Sequence, residues 1–290
     1  MIMRDLNYQL KNLCKASREG SYASQKRRFT DLQLMANQLH EMGYRGMKAT
    51  SLKPKHVQGL VERWQHQGLS AGTIKNRMAS LRWWAKQVNK RNVIARSNDF
   101  YGIPNRQYVT NADKSLSLTK EKLDRVRDEH VRMSLLLQQA FGLRREEAMK
   151  FSPSYADKGD YLLLKASWTK GGKARTIPIR TEQQRDLLNQ ARKLAGFGSL
   201  IPGNRNYVQQ LRIYERHTAN AGLSKLHGLR HYYAQNRYEE LTGWQAPAAG
   251  GPSYQSLTPE QQEKDREARL IISKEIGHER EAVTGVYLGR

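Results

Sequence analysis

The chain has 290 residues, enough for two domains that each bury a core, and its mean hydropathy is -0.81. No uninterrupted apolar run approaches the ~18 to 20 residues of a membrane-spanning helix, the opening Met-Ile-Met-Arg-Asp-Leu-Asn-Tyr has no signal-like apolar stretch, and the single Cys14 leaves no intrachain disulfide or cysteine-based metal cluster, so a cytoplasmic protein without membrane attachment is expected. Lys and Arg number 50 against 27 Asp and Glu, a formal charge of +23, and an excess of that size calls for a polyanionic partner, the nucleic-acid backbone above all. The cations are not stacked beside one hydrophobic face, as a membrane surface would need: residues 1–110 hold 20 basic and 6 acidic groups, the remainder 30 and 21.

Residues 1 to about 89 read as helical. Phe29, Leu32, Leu34, Met35, Leu39 and Met42 follow the helical period over about 22–42 and stop at Gly43. A second segment, about 55–67, sets Val57, Leu60, Val61 and Trp64 on one face. The next opens at Ser70 and turns Ile74, Met78, Leu81, Trp84 and Ala85 inward, with Lys75, Arg77, Arg82, Lys86 and Lys90 mostly on its other faces. Those cations suit either a solvated surface or a row of DNA phosphates; Trp64, Trp83 and Trp84 fall in apolar patterns and belong to the core. Residues 90 to about 115 are rich in turn formers and read as a flexible inter-domain linker, giving a DNA-clamping domain at 1–110 and a second domain at 116–290.

In that second domain Thr119 caps a helix, and Val131–Phe141 forms an apolar helix halted by Gly142, with a short helix after Arg144. Tyr161–Trp168 and Ala174–Ile179 are β-prone and flank Thr169-Lys170-Gly171-Gly172-Lys173, a hairpin. Thr181 starts a helix ending before Gly196, two more run over about 204–221 and 227–241, and Thr258-Pro259-Glu260-Gln261 caps a last one that stops at Gly277. The fold class is therefore mainly α with a small β-hairpin.

Four short pieces carry chemistry. In Gly142-Leu143-Arg144-Arg145-Glu146-Glu147 a helix break frees Arg144 to point into a cleft, and Glu147, three residues on, can orient it; the bland alternative is a surface ion pair. His227-Gly228-Leu229-Arg230 presents two polar groups from one turn. Gly277-His278 precedes Tyr287 by a nine-residue interval from the histidine, and Lys170 tips the hairpin. A phosphodiester repels nucleophiles and has a basic leaving oxygen, so fixed cations and an acid are what its cleavage needs without a metal.

In this order the pieces resemble the active-site set of the tyrosine recombinases, the family of phage-type integrases and Xer-like resolvases. The helical start resembles, more loosely, the SAM-like core-binding domain of that family. The resemblance implies a site-specific DNA recombinase serving a mobile element, with no cofactor and no metal. Tyr287 would form a 3′-phosphotyrosyl link, Arg144 and Arg230 would neutralise the phosphate, and Lys170 would protonate the leaving oxygen. His227 would assist proton transfer, His278 would hydrogen-bond the phosphate, and Glu147 would support Arg144. Lys173 and Arg175 compete with Lys170 for its role or serve as DNA contacts alongside Lys75, Arg77, Arg82 and Lys86; Arg145 competes with Arg144.

The resemblance also implies a tetramer on two DNA sites, with a DNA-bending accessory protein as a possible partner. Two departures stand out: residues 242 to about 265 look inserted, and only Leu288-Gly289-Arg290 follow Tyr287, so the insertion is expected to supply part of the contact between protomers. The alternatives are a type IB topoisomerase-like enzyme that relaxes DNA as a monomer, and a DNA-binding regulator without turnover.

Overall fold

The computed structural model describes residues 4–290. The chain divides into two compact units, one running to Gln107 and the other covering Tyr108–Arg290. It is mostly helical, with a single two-stranded sheet among the described residues.

The first unit is built from α1 (Asp5–Ala16), α2 (Tyr22–Glu41), α3 (Pro54–His66) and α4 (Ala71–Gln87). Ser21 and Ser70 cap α2 and α4 by accepting from backbone N–H groups three residues on, which satisfies donors a helix start leaves open. The inward set expected for α4 is buried throughout, and all three tryptophans lie in the core; Trp64 Nε1 donates to Gln38 Oε1 at 2.9 Å and Trp84 Nε1 to the Ala49 carbonyl at 2.9 Å. Ile94, Tyr101 and Ile103, within the stretch read as linker, pack into this same core, and the Tyr101 hydroxyl accepts from the Ala95 amide at 2.9 Å.

The second unit runs α5 (Lys120–Asp124), α6 (Glu129–Phe141), α7 (Arg145–Met149), α8 (Pro153–Ala156), β1 (Tyr161–Leu164), β2 (Arg175–Pro178), α9 (Glu182–Ala195), α10 (Tyr207–Asn220), α11 (Gly228–Thr242), α12 (Pro259–Glu275) and α13 (Gly285–Leu288). The strands pair antiparallel from Tyr161 opposite Pro178 to Leu164 opposite Arg175. They are shorter than expected, because Ala166–Trp168 coils into a 3-10 turn before the hairpin tip. Alternation along β1 turns Leu162 and Leu164 into the core together with Ile177 of β2.

Helix α11 is the axis of this unit, packing against α6, α12 and α13. Its Tyr233 ring lies so close to Gly142 that a Cβ there would come within 2.5 Å of it; with φ at +60° as well, only glycine fits the turn that ends α6. The segment that looked inserted folds into two 3-10 turns, Pro247–Ala249 and Tyr254–Ser256. Ala246 joins the core and the first of these turns packs against α13, so part of this segment serves the chain's own fold rather than standing free.

Candidate active site

Arg144 is the residue before α7, in extended conformation, and this fixes its direction. Glu147 accepts from its backbone N–H at 2.7 Å and from its Nη1 at 2.9 Å, two bonds from one residue to one carboxylate that tie the side chain to the helix start and leave the rest of the guanidinium partly open. Burial opposes ionisation of Glu147, but two hydrogen bonds from Arg175 and its positive charge prevail and hold the carboxyl at about 2.

Arg230 enters from the first turn of α11 and is 1% exposed. Its Nη1 donates to the Gly142 carbonyl, its Nη2 to the Ile276 carbonyl, and its Nε to the Tyr287 hydroxyl at 3.3 Å. Burial lowers its pKa to about 10, the neighbouring Tyr287 acting in the opposite sense. No carboxylate touches this guanidinium among the described residues, so a buried positive charge stands here with only neutral partners. The contrast with Arg269 is direct: 2% exposed, that residue has Asp265 at 2.8 Å as a counter-ion.

Tyr287, 5% exposed, sits on the one-turn α13. Its hydroxyl lies 3.3 Å from Arg230 Nε and 3.4 Å from His227 Nε2. Three imidazoles surround its ring, with centroids at 4.7 Å for His231, 5.8 Å for His227 and 6.1 Å for His278. All three titrate below the ordinary histidine value. Desolvation is the leading cause each time, followed for His227 by Arg230 and Arg144, and for His231 by His227 and Lys114. His278 reaches about 4 under desolvation and the charges of Arg230, Arg144, Arg175 and Lys170. Its Nε2 is shielded from solvent and has no hydrogen-bond partner among the described residues, a donor or acceptor left open at the site.

Arg144, Arg230 and His227 line one cavity of about 370 Å³, with Lys225 and Gln138 also in its wall. Lys170 is exposed on the hairpin tip, within range to depress His278 but bonded to none of the other groups. Lys173 pairs with Glu279 on the surface. Arg175 does not face outward as a DNA contact: its side chain is 8% exposed and closed onto Glu147, because a fork-shaped donor beside a buried carboxylate gains more from that pair than from solvent. Arg145 pairs with Glu215 at 3.1 Å, so of the two adjacent arginines it is Arg144 that shares the buried Glu147 with Arg175.

In the first unit the cations of α4 are less free than a solvated face would leave them. Lys75 Nζ donates to Asn105 at 2.8 Å, and Arg82 is pinned to the Ala95 carbonyl and to Asn98 at 3.1 and 2.8 Å. Arg77 lies partly buried with its guanidinium 5.4 Å from the Trp64 ring centroid. Lys86 stays exposed, 3.6 Å from Glu19. Sequence reasoning passed over His231 and Gln235, whose Nε2 reaches the Tyr287 carbonyl at 3.3 Å and Asp113 at 3.0 Å. The available signal was their spacing, four and eight residues after His227 on one face of α11. Among the described residues no three His, Cys, Asp or Glu side chains converge to hold a metal ion.

Residues 3–94 match a family model described as "Phage integrase, N-terminal", and residues 106–236 one described as "Integrase". The second match takes in Arg144, Lys170, His227 and Arg230 and ends before His278 and Tyr287. No curated protein matches the chain in sequence. Among solved structures, lambda integrase (residues 75–356), a dimer bound to a COC′ core site, superposes with a TM-score of 0.61 at 14% identity, covering 98% of this chain and 96% of that one. The Tn1549 transposon integrase with circular-intermediate DNA gives 0.57 at 14%, covering 99% and 96%. A lambda integrase tetramer bound to a Holliday junction gives 0.56 at 15%, covering 81% and 70%. At such identities the likeness is one of fold.

Proposed function

The chain belongs to the phage integrase family of tyrosine recombinases, and we propose that it is a site-specific DNA recombinase that cuts and rejoins duplex DNA with Tyr287 as its nucleophile. The observation that carries this reading is the place of the Tyr287 hydroxyl, between Arg230 Nε and His227 Nε2 and behind the wall of a cavity that Arg144 also lines.

The scissile phosphate enters that cavity, where Arg144 and the remaining hydrogens of Arg230 meet its nonbridging oxygens. Each such fixed donor contributes about 10²–10³-fold to rate in sites of this kind. Tyr287 Oη bonds to phosphorus as the bond from phosphorus to the 5′-oxygen breaks. The phenolic proton passes to His227 Nε2, which accepts it because desolvation and the arginine charges keep this imidazole neutral near pH 7. His278, likewise neutral there, hydrogen-bonds a phosphate oxygen through its unpartnered Nε2 in the Nε2–H tautomer.

Lys170 protonates the departing 5′-oxygen once the hairpin closes on bound DNA, leaving a 3′-phosphotyrosine and a 5′-hydroxyl. A 5′-hydroxyl from the exchanged strand reverses these steps. The link keeps the energy of the phosphodiester, so the scheme calls on no ATP, and the fixed arginines supply the charge neutralisation that a metal would otherwise give. Glu147 acts by holding Arg144. Of the lysines read in the sequence as DNA contacts, Lys86 and Lys173 are exposed and Lys75 is half-exposed, and each meets DNA backbone from its own unit.

Lambda integrase occurs as a tetramer on a Holliday junction and the Tn1549 integrase serves a transposon. By that analogy the chain works as a tetramer on two sites, in the integration or excision of a mobile element. The test is Tyr287→Phe on a nicked duplex taken from the protein's footprint on DNA flanking its own gene. The variant shifts this duplex in a native gel as the parent does, but yields no covalent band on a denaturing gel. A covalent band from the variant contradicts the assignment.

A further inference from the structure

Arg175 sits on β2, five residues past the hairpin lysine, and every arm of its guanidinium is engaged inside the protein. Nη1 and Nη2 donate to the two oxygens of Glu147 at 2.8 and 2.7 Å, and Nε donates to the Glu275 carbonyl at the end of α12 at 2.9 Å. The same two Glu147 oxygens accept from the backbone and side chain of Arg144. Gly277 is moulded to this arginine: its φ is +70°, and a Cβ there would come within 3.0 Å of Arg175 Cδ and Nη1. One side chain thus joins three places far apart in the chain: the start of α7 that carries Arg144, the strand leaving the Lys170 hairpin, and the turn that carries His278.

We infer that Arg175 is a positioning residue, which sets Arg144 and the Glu275–His278 turn in register through Glu147, so that DNA cleavage depends on its fork although it does not touch the DNA. The inference rests on the reading of Arg144 and His278 as phosphate contacts. A lysine cannot replace it: an ammonium is a point charge, whereas the carboxylate of Glu147 is gripped by two parallel N–H groups and the Glu275 carbonyl by a third. A misplacement of about 1 Å at a phosphate contact costs about 10²-fold in rate. If the pair were only an internal brace, Arg175→Lys would lower the melting temperature, and the folded protein would cleave as before.

A pH profile separates the two. Glu147 faces Arg144 and Arg175 directly and Arg230 at longer range, and these charges hold its carboxyl ionised against its burial. Loosening the Arg175 fork lets burial raise it, so acid then neutralises Glu147 and releases Arg144.

The experiment uses the full chain, the footprint-derived nicked duplex and single-turnover formation of the covalent band. Arg175→Lys is expected to bind the duplex as the parent does, to cleave about 10²-fold more slowly, and, beside the acid limb that protonation of His227 gives the parent, to gain a second one. Adding Glu147→Gln removes that limb. Glu147→Gln alone, which keeps the shape of the residue, is expected to cleave slowly with unchanged affinity, and it decides the matter should Arg175→Lys fail to fold. Parent-like cleavage by folded Arg175→Lys or by Glu147→Gln overturns the inference and leaves the Tyr287 assignment standing. A parent protein that forms no covalent band overturns both.

Discussion

Arg230 and Arg269 lie in the same unit, both almost sealed from water, and they are partnered in opposite ways. Arg269 holds Asp265 at 2.8 Å and the Gly289 carbonyl at 3.0 Å, a neutralised pair that fastens α12 to the end of the chain. Arg230 reaches two carbonyls and a phenol, and its charge is left uncompensated. Burying a charge without a counter-ion is costly. A fold keeps such a charge where an anion arrives to meet it, so the comparison supports the proposal that Arg230 meets a phosphate while Arg269 holds the structure.

Exchanging the two side chains for methionine sharpens that difference most. Arg269→Met leaves the Asp265 carboxylate buried without its partner, which costs about 3–5 kcal/mol of stability and is read as a lower denaturation midpoint. Arg230→Met leaves two carbonyls unpaired, at about 1–3 kcal/mol each, offset in part by removing a buried charge that has no counter-ion, yet it lowers cleavage by about 10²–10³-fold or more. Equal losses of stability, or cleavage retained without Arg230, would break the comparison.

Lys170 matches Arg230 in its effect on rate but leaves stability untouched. Lys170→Ala is expected to slow single-turnover cleavage by about 10²–10⁴-fold, and a 5′-bridging phosphorothioate, whose sulfur leaves without a proton, restores most of the rate. Failure of that rescue assigns the acid elsewhere.

The smallest effect concerns the imidazoles around Tyr287. His278 titrates near 4 when folded against an ordinary 6.5, and His227 and His231 are shifted the same way. Between these values the unfolded chain binds more protons than the folded one, so stability is complete above about pH 6.5 and is lost as pH falls toward 4. A melting curve followed over that range should show the loss, and His278→Gln should reduce it.

The order of Gly142-Leu143-Arg144, His227-x-x-Arg230 and Gly277-His278 with Tyr287 made the candidate site legible as a cluster, because each motif marks a helix break or a single turn whose geometry is local. The inward set of α4 was legible for the same reason, as periodicity alone decides which face is buried. The fate of individual cations was not. Arg175 shows a charge in the sequence but not the carboxylate 28 residues earlier that captures it, and Arg82 does not announce the carbonyl of Ala95. Residues 94–103 have the composition of a linker, yet Ile94, Tyr101 and Ile103 lie in the core, since three spaced apolar side chains are enough to anchor a loop without any helical period.

The most direct test of the central claim is to trap the covalent complex on the nicked duplex, digest both components, and map the attachment by mass spectrometry. A nucleotide joined through its 3′-phosphate to Tyr287 is the expected result. Attachment to any other residue, with Tyr287 unmodified, would contradict the account.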